Sequence, residues 1–147
     1  MTAHNAPQGG RPAPHTSIVI VTYNSAGEIE ACLRSILEAP PRRPFEILLV
    51  DNGSTDDTLA RVAAVSPDVV IDRPPRNLGF AAANNRAASR AAGSVLILLN
   101  PDTVVSPGAI DGLCDILARE PGIGVVGPRL VDAQGEPELS FGAMVAR

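Results

Sequence analysis

The stretch SIVIVTYNSAGEIEACLRSIL, residues 17–37, contains one copy of the strand–turn–helix pattern that repeats along the chain. It begins with the short apolar run SIVIVT, which predicts a strand, and then passes through a polar turn. The apolar residues after the turn share one face at helical spacing; they are Ile29, Cys32, Leu33, Ile36 and Leu37. Ser25 and Glu28 stand three residues apart just before this face, which predicts a capping box at the helix start.

Further apolar runs predict strands in the rest of the chain. They are EILLV (46–50), DVVI (68–71), VLILL (95–99) and IGVVGPRLV (123–131). Such runs are continuous rather than alternating, which indicates strands that are covered on both faces of a sheet. The chain is therefore predicted to contain five strands.

The segments between these runs have the spacing of helices. Ser54 with Asp57 predicts a cap for a second helix, and Ser106 with Pro107 predicts the start of a fourth. The alanine-rich segment GFAAANNRAASRAAG, residues 79–93, is the predicted third helix. Strands that alternate with helices of this length form right-handed parallel crossovers. The predicted class is α/β, an open and mostly parallel sheet with helices on both faces.

The length of 147 residues suffices for one domain. Residues 1–16 contain three prolines, two glycines and no apolar periodicity, so they are predicted to form a disordered leader. His4 and His15 lie in this leader and are interpreted as solvated side chains. Residues 17–147 are predicted to be the folded domain.

Charge and composition narrow the function. A net charge of −4, with one tyrosine, three phenylalanines and no tryptophan, argues against a nucleic-acid partner. No run approaches the roughly 20 apolar residues of a membrane span, and no signal peptide is recognisable. The expected location is cytoplasmic, and peripheral membrane association stays open. Cys32 and Cys114 fall at apolar helix positions, which indicates core packing.

Several common catalytic motifs do not occur in the sequence. No GxGxxG follows the first strand, and neither a P-loop nor a GxSxG motif is found. Both histidines lie in the predicted leader, which argues against a Ser–His–Asp hydrolase. The sequence therefore does not support a dinucleotide-binding, P-loop or Ser–His–Asp hydrolase site.

Open α/β sheets bind ligands beyond the carboxyl ends of their strands. The corresponding segments here are TYN (22–24), DNGS (51–54), RPPRNLG (73–79) and NPD (100–102). Two of them carry a carboxylate, Asp51 and Asp102. Because an unpaired buried carboxylate is costly, each needs a hydrogen-bond donor, an arginine or a cation.

Each carboxylate has two interpretations. Asp51 either closes a turn or accepts N–H bonds from a heterocyclic base, and Asn52 with Gly53 already supplies turn chemistry. Asp102 either forms an Asx-type turn before Ser106 or binds Mg²⁺ or Mn²⁺. These ions bind through one or two carboxylates together with substrate phosphates, so one acid suffices beside a diphosphate.

Taken together, four segments resemble the inverting family-2 glycosyltransferases, which have the Rossmann-like GT-A fold that binds nucleotide-diphospho-sugars. The segments are IVIVTYNSAGEIEACLRSIL (18–37), EILLVDNGSTDDT (46–58), NLGFAAANNRA (77–87) and LILLNPDTVVSPGAI (96–110). They follow the order that the family has, and the resemblance extends from Ser17 to about Leu130.

The resemblance implies roles for residues that follow the first two strands. Thr22 and Tyr23 would line a base pocket, and Asn24 would shape its turn. A plain strand-ending turn is the alternative for these residues. Asp51 would face the pyrimidine ring and its N3–H group.

The resemblance also implies roles further along the chain. Arg76 and Asn77 would lie along the base or the diphosphate, and Asn85 near the sugar nucleotide. A surface charge at Arg76 and a buried structural amide at Asn85 are the alternatives. Asn100 stands where the first acid of the family's DxD motif usually stands and would bond the ribose or sugar. Asp102 would bind the metal.

The implied function is transfer of a sugar, with inversion and metal assistance, from a dTDP- or UDP-sugar to a glycan or lipid-linked acceptor. The form LLNPD resembles a rhamnosyltransferase-like subgroup, which points to cell-wall or polysaccharide biosynthesis. The catalytic base is unassigned, because family domains continue past the metal motif to an acidic residue; the domain is therefore expected to be C-terminally incomplete.

Two alternatives to transfer remain. The first is a truncated or non-catalytic module that binds sugar nucleotides. The second is a receiver-like domain phosphorylated on Asp51, which requires an acidic pair after the first strand where the sequence has TYNS.

Overall fold

The computed structural model describes residues 13–138 apart from residues 68 and 133. The chain divides into two compact units, one up to Asp111 and one from Gly112 onward. Most of the predicted leader, including His4, lies outside the described residues.

The first unit contains a four-stranded parallel sheet in the order β3-β2-β1-β4. Its strands are β1 (Thr16–Thr22), β2 (Phe45–Asp51), β3 (Val70–Asp72) and β4 (Val95–Leu99). The helices are α1 (Ile29–Glu38), α2 (Thr58–Val65), α3 (Phe80–Ala88) and α4 (Ala109–Arg119), the last of which continues into the second unit. The alternating order and the parallel pairing confirm the predicted α/β class.

The two faces of the central strands are buried against different helices. On one face, Val19 and Val21 of β1 pack in a cluster with Ala83 and Ala87 of α3. On the other face, α1 and α2 pack against each other, as right-handed crossovers between β1, β2 and β3 require. Ile20 points to that face and is completely buried. Cys32 on α1 and Cys114 on α4 are both buried, as predicted.

The prediction that every strand is covered on both faces is wrong for the two edge strands, β3 and β4. In β3, Val70 and Ile71 are 57% and 37% exposed. In β4, Leu96 and Leu98 are 43% and 55% exposed. Leu98 pairs with Val19 and thus lies on the face that α3 covers, but α3 packs over β1 and β2. A continuous apolar run therefore marks burial in the middle of this sheet and not at its edge.

Neither predicted side-chain cap forms. The residues at the N-cap positions of α1 and α2, Glu28 and Asp57, make no capping hydrogen bond with their side chains. The hydroxyl groups are used elsewhere, because Ser54 Oγ accepts the Asn24 N–H at 2.9 Å and Ser25 Oγ accepts the Tyr23 N–H at 3.3 Å. These serines therefore organise the turns before the helices.

The predicted fifth strand is wrong for most of its length. Only Leu130–Val131 is extended, as β5, and it pairs antiparallel with β6 (Pro137–Glu138) in the second unit. The glycines and the proline of residues 124–128 interrupt the run, since these residue types weaken strands. Asp132 closes the hairpin by accepting the N–H groups of Gln134 and Glu136, each at 2.9 Å.

The start of the sheet also differs from the prediction. Thr16 is the first residue of β1, and the carbonyl of His15 accepts the Val95 N–H at 3.1 Å. Both residues were assigned to the leader, yet they belong to the sheet. Among the described residues, no helix is both long enough and apolar enough to cross a membrane.

We expect Ile20→Ala to lower the free energy of unfolding by about 2–5 kcal/mol, because it removes completely buried methyl groups and leaves a cavity. Leu98→Ala on the exposed face of β4 is the matched control and should cost about 1 kcal/mol or less. Chemical denaturation measures both values. Equal losses would mean that β4 is as deeply packed as β1.

Candidate functional site

A groove of about 410 Å³ opens at the carboxyl ends of β1, β2 and β4. This volume is typical of small-molecule sites, which range over about 300–1,000 Å³. Four of the predicted site residues line it: Thr22, Tyr23, Asn77 and Asn100. The sheet therefore brings residues from three separate strand exits together at one place, where α/β sheets bind ligands.

Two aromatic rings stand at this groove. Tyr23 is 56% exposed and Phe80 is 61% exposed, and both line the cavity. The chain has only four such rings. Exposed rings can stack on a planar base. Sequence reasoning assigned Phe80 only to a helix; its position directly after the RPPRNLG segment was the available signal.

Asn24 joins the turn after β1 to the turn after β2. Its φ of 52° is left-handed, a conformation that asparagine adopts more readily than most residues. Its Oδ1 accepts the Thr55 N–H at 2.9 Å, and its own N–H is bound to Ser54 Oγ. Asn24 therefore shapes the turn beside the groove.

The two carboxylate oxygens of Asp51 are in different states: one closes a turn, and the other accepts no hydrogen bond from any described residue. It is completely buried at the end of β2, and Oδ1 accepts the Ser54 N–H at 3.1 Å, which closes a turn. Oδ2 is buried with no hydrogen-bond partner among the described residues. Arg73 Nε lies 3.3 Å from Oδ2 at ion-pair distance but without hydrogen-bond alignment. One carboxylate oxygen thus keeps an unused acceptor position.

Thr22 contributes to the groove mainly through the backbone. Its hydroxyl is buried and donates to the Val50 carbonyl at 3.5 Å. Its carbonyl accepts the Asn52 N–H at 2.8 Å, which holds the ends of β1 and β2 together. The side chain that was predicted to line a base pocket is therefore engaged within the sheet.

The predicted site residues before and within α3 are all exposed, but only one of the three lines the groove. Asn77 is exposed, and its Oδ1 accepts the Gly79 N–H at 2.8 Å. Arg76 is exposed and does not line the groove. Asn85 is exposed on α3, so the alternative of a buried structural amide is wrong for it. That role belongs to Asn84, which is buried and donates to the Phe80 carbonyl at 2.9 Å.

The NPD segment forms a tight turn at the end of β4. The Asn100 carbonyl accepts the Thr103 N–H at 3.2 Å and lies 3.6 Å from Cys32 Sγ. Asp102 is exposed in this turn, and no described residue bonds or ion-pairs with its carboxylate, so the predicted Asx-type turn does not form. Burial, and secondarily the negative charge of Asp102, raises the pKa of the Cys32 thiol to about 12.

The residues at this turn fit a metal ion only in a limited way. Within the described part of the chain, no three His, Cys, Asp or Glu side chains cluster as metal ligands. Asp102 supplies one exposed carboxylate without a competing cation, which is the donor that Mg²⁺ or Mn²⁺ uses when substrate phosphates complete its shell. The donor set therefore fits a metal that arrives with a diphosphate.

The chain matches a known family over most of its length. The family model described as "Glycosyl transferase family 2" matches residues 17–142. The chain is 36% identical over 129 residues to N-acetylglucosaminyl-diphospho-decaprenol L-rhamnosyltransferase of Mycobacterium tuberculosis, covering 80% of this chain and 42% of that protein. It is also 36% identical over 129 residues to the O-antigen biosynthesis protein RfbC of Myxococcus xanthus, covering 85% of this chain and 10% of that protein.

Solved structures share the fold. The mannosyltransferase PcManGT from Pyrobaculum calidifontis, in complex with GDP-Man and Mn²⁺, is 29% identical with a TM-score of 0.63, covering 73% of this chain and 33% of that one. S. aureus TarS 1-349 in complex with UDP is 24% identical with a TM-score of 0.65, covering 71% and 32%. The chain thus spans less than half the length of these relatives and structures.

We expect Asn24→Ala to be more destabilising than Asn24→Gly. Both variants lose the acceptor for the Thr55 N–H, but only alanine opposes the left-handed backbone, so the difference should be about 1 kcal/mol. Thermal unfolding of the two variants measures it. Equal stabilities would show that the conformation of Asn24 contributes nothing to the fold.

Proposed function

The chain belongs to glycosyltransferase family 2, and on this premise we propose that its groove binds the nucleoside diphosphate of a UDP- or dTDP-sugar. The observation that carries the proposal is the unused acceptor on Asp51 Oδ2, buried beside strand exits that line a cavity of suitable size. Such a buried and unsatisfied group is unusual in a native structure and points to a ligand.

The state of Asp51 supports a pyrimidine with one N–H donor. Oδ1 accepts the Ser54 N–H, which leaves Oδ2, paired only by charge with Arg73, as the oxygen that accepts no hydrogen bond from the described residues. Uracil and thymine present one donor, N3–H, between two carbonyl groups. Cytosine presents an acceptor at N3, and guanine presents two adjacent donors. Tyr23 and Phe80 supply exposed rings against which such a base can stack.

The diphosphate would lie towards Asp102 and the exposed side chains of Arg76 and Asn77. Asp102 would hold the Mg²⁺ or Mn²⁺ ion, which, when bound, offsets the charge on the diphosphate as the sugar–phosphate bond breaks. Asn100 lines the groove beside it and would bond the ribose or sugar, and Asn85 would stand near the sugar nucleotide. These roles follow the resemblance residue by residue.

The whole reaction would transfer the sugar with inversion to a glycan or lipid-linked acceptor. A rhamnosyl donor is supported by the similarity to the mycobacterial rhamnosyltransferase. Inversion requires a carboxylate that deprotonates the acceptor hydroxyl. No described acidic residue lines the groove; Asp51 and Asp102 lie next to lining residues, and no further acid in the described part of the chain is placed to act as this base. This favours donor binding without transfer as the second candidate function for this chain by itself. A cytoplasmic location, with peripheral contact to a membrane that carries the acceptor, accompanies the first candidate.

We expect UDP and dTDP to bind at least about tenfold more tightly than CDP, since cytosine would place its N3 lone pair against Asp51 Oδ2. Asp51→Asn should level or invert this preference. Oδ1 of the asparagine would remain the acceptor for the Ser54 N–H, so the amide nitrogen would take the position of Oδ2 and donate. Calorimetric titration gives the three dissociation constants.

Asp51→Ala is the control, because alanine offers the base neither the acceptor of the parent aspartate nor the donor of the asparagine variant. It should bind all three nucleotides more weakly and with similar affinities. A UDP to CDP ratio that is the same in the parent and in Asp51→Asn would contradict base recognition by this carboxylate.

Manganese should strengthen UDP binding by the parent protein and leave binding by Asp102→Asn unchanged. UDP at 100 times its dissociation constant should stabilise the parent by about 2.7 kcal/mol. Thermal shifts with UDP, with and without MnCl₂, measure the effect. Uridine, which lacks the diphosphate, should show no dependence on manganese in either protein. A variant that responds to manganese as the parent does would remove Asp102 from the metal site.

A further inference from the structure

We propose that Asn52 is the positioning residue of the donor-binding groove, and that its side-chain amide holds residues 77–79 in the conformation that places Asn77 and Phe80 on the groove wall. The proposal rests on the proposed function for the identity of the ligand. Its geometric part concerns the chain itself and can be tested without a nucleotide.

The Asn52 side chain forms a two-point contact with the loop before α3. Its Oδ1 accepts the Leu78 N–H at 3.0 Å, and its Nδ2 donates to the Gly79 carbonyl at 3.3 Å. Its own backbone N–H donates to the Thr22 carbonyl at 2.8 Å. The residue is only 3% exposed. One side chain therefore ties the loop to the ends of both β1 and β2.

This contact requires an amide. The loop offers one N–H and one C=O on neighbouring residues, and an asparagine side chain presents an acceptor and a donor in one plane. An ionised aspartate of the same shape has acceptors only, so one of its oxygens would face the Gly79 carbonyl oxygen. Loss of the amide would also leave buried backbone groups without partners, which is costly.

The held loop determines the wall of the groove. Gly79 has a φ of 77° and immediately precedes α3, and its N–H is bound to Asn77 Oδ1. Phe80 is the first residue of α3 and is exposed at the groove. A loop released from Asn52 would change the direction in which Asn77 and Phe80 enter the site. Asn52 itself lines the groove, but the oxygen and the nitrogen of its side chain are both bound to the loop, so we infer that it acts on the ligand mainly through Asn77 and Phe80.

The decisive variant is Asn52→Asp, with UDP dissociation constants measured between about pH 8 and about pH 5. At the upper pH we expect UDP to bind at least about tenfold more weakly than to the parent. Burial and the nearby carbonyl favour the neutral acid, whose O–H can again donate to the Gly79 carbonyl. The ratio of variant to parent dissociation constants should therefore fall towards one as the pH is lowered.

Asn84→Asp is the matched control. Asn84 is also buried and also donates to a backbone carbonyl, that of Phe80 in its own helix, but it does not line the groove and no hydrogen bond joins it to residues 77–79. The same chemical change there should leave the UDP ratio independent of pH. A flat ratio for Asn52→Asp, whether at parent affinity or weakened by a constant factor, would overturn the proposal.

A fluorescent reporter separates this inference from the proposed function. The chain contains no tryptophan, so Phe80→Trp places a single indole on the groove wall. In this background Asn52→Asp should change the emission maximum at about pH 8 and restore it towards the parent value at about pH 5. An emission that Asn52→Asp leaves unchanged overturns the inference. If the emission responds as expected while the parent fails to bind UDP, only the proposed ligand is wrong.

Gly79→Ala provides a second route if Asn52→Asp does not fold. An added Cβ at residue 79 would meet nothing within 4 Å, so its effect arises from the left-handed backbone alone. We expect UDP binding to weaken at every pH, with altered emission in the Phe80→Trp background. Parent-like binding and emission would show that the loop conformation does not set the groove.

Discussion

The structure depends on hydrogen bonds that join the turn after β1 to the turn after β2. The Asn24 N–H is bound by Ser54 Oγ, the Ser25 N–H by Thr58 Oγ1 at 2.8 Å, and the Ala26 N–H by Asp56 Oδ2 at 3.1 Å. Backbone groups at the ends of parallel strands lose their ladder partners, so another group must satisfy them. Here side chains that follow β2 satisfy backbone groups that follow β1, so the two segments are held together beside the groove.

Ser54 links these hydrogen bonds to Asp51, which stays buried with one oxygen that accepts no hydrogen bond within the described part of the chain. Removing a carboxylate from water is costly, and the turn to Ser54 together with the nearby Arg73 offsets part of that cost. A ligand that donates a hydrogen bond to Oδ2 would offset the remaining desolvation cost. A flexible turn would relax and hydrate the oxygen instead. The proposed contact between Asp51 and a base would therefore depend on the cross-turn hydrogen bonds as well as on Asp51 itself.

The sequence predicted what local periodicity can predict. The apolar runs identified β1, β2 and β4 within a residue or two, and the apolar face of α1 was recognised apart from Leu37, which is exposed, because spacing and burial in the chain's own elements decide them. The caps failed because Ser25 and Ser54 are engaged within the turns that shape the groove, including a partner 30 residues away. Likewise, nothing in DNGS (51–54) shows that the amide of Asn52 meets a loop 26 residues further on.

The site residues show the same division between local and long-range information. Tyr23, Asn77 and Asn100 could be named from the strand exits because parallel strands end at one edge of the sheet. Asn52 also follows a strand directly, but its bond to the loop before α3 could not be foreseen from the sequence, and the only signal for Phe80 was its position after the RPPRNLG segment. Every residue that lines the groove lies between Val21 and Pro101, in the first compact unit. The proposed binding of a nucleotide would therefore involve residues of this unit alone and can be measured apart from any chemistry at the acceptor.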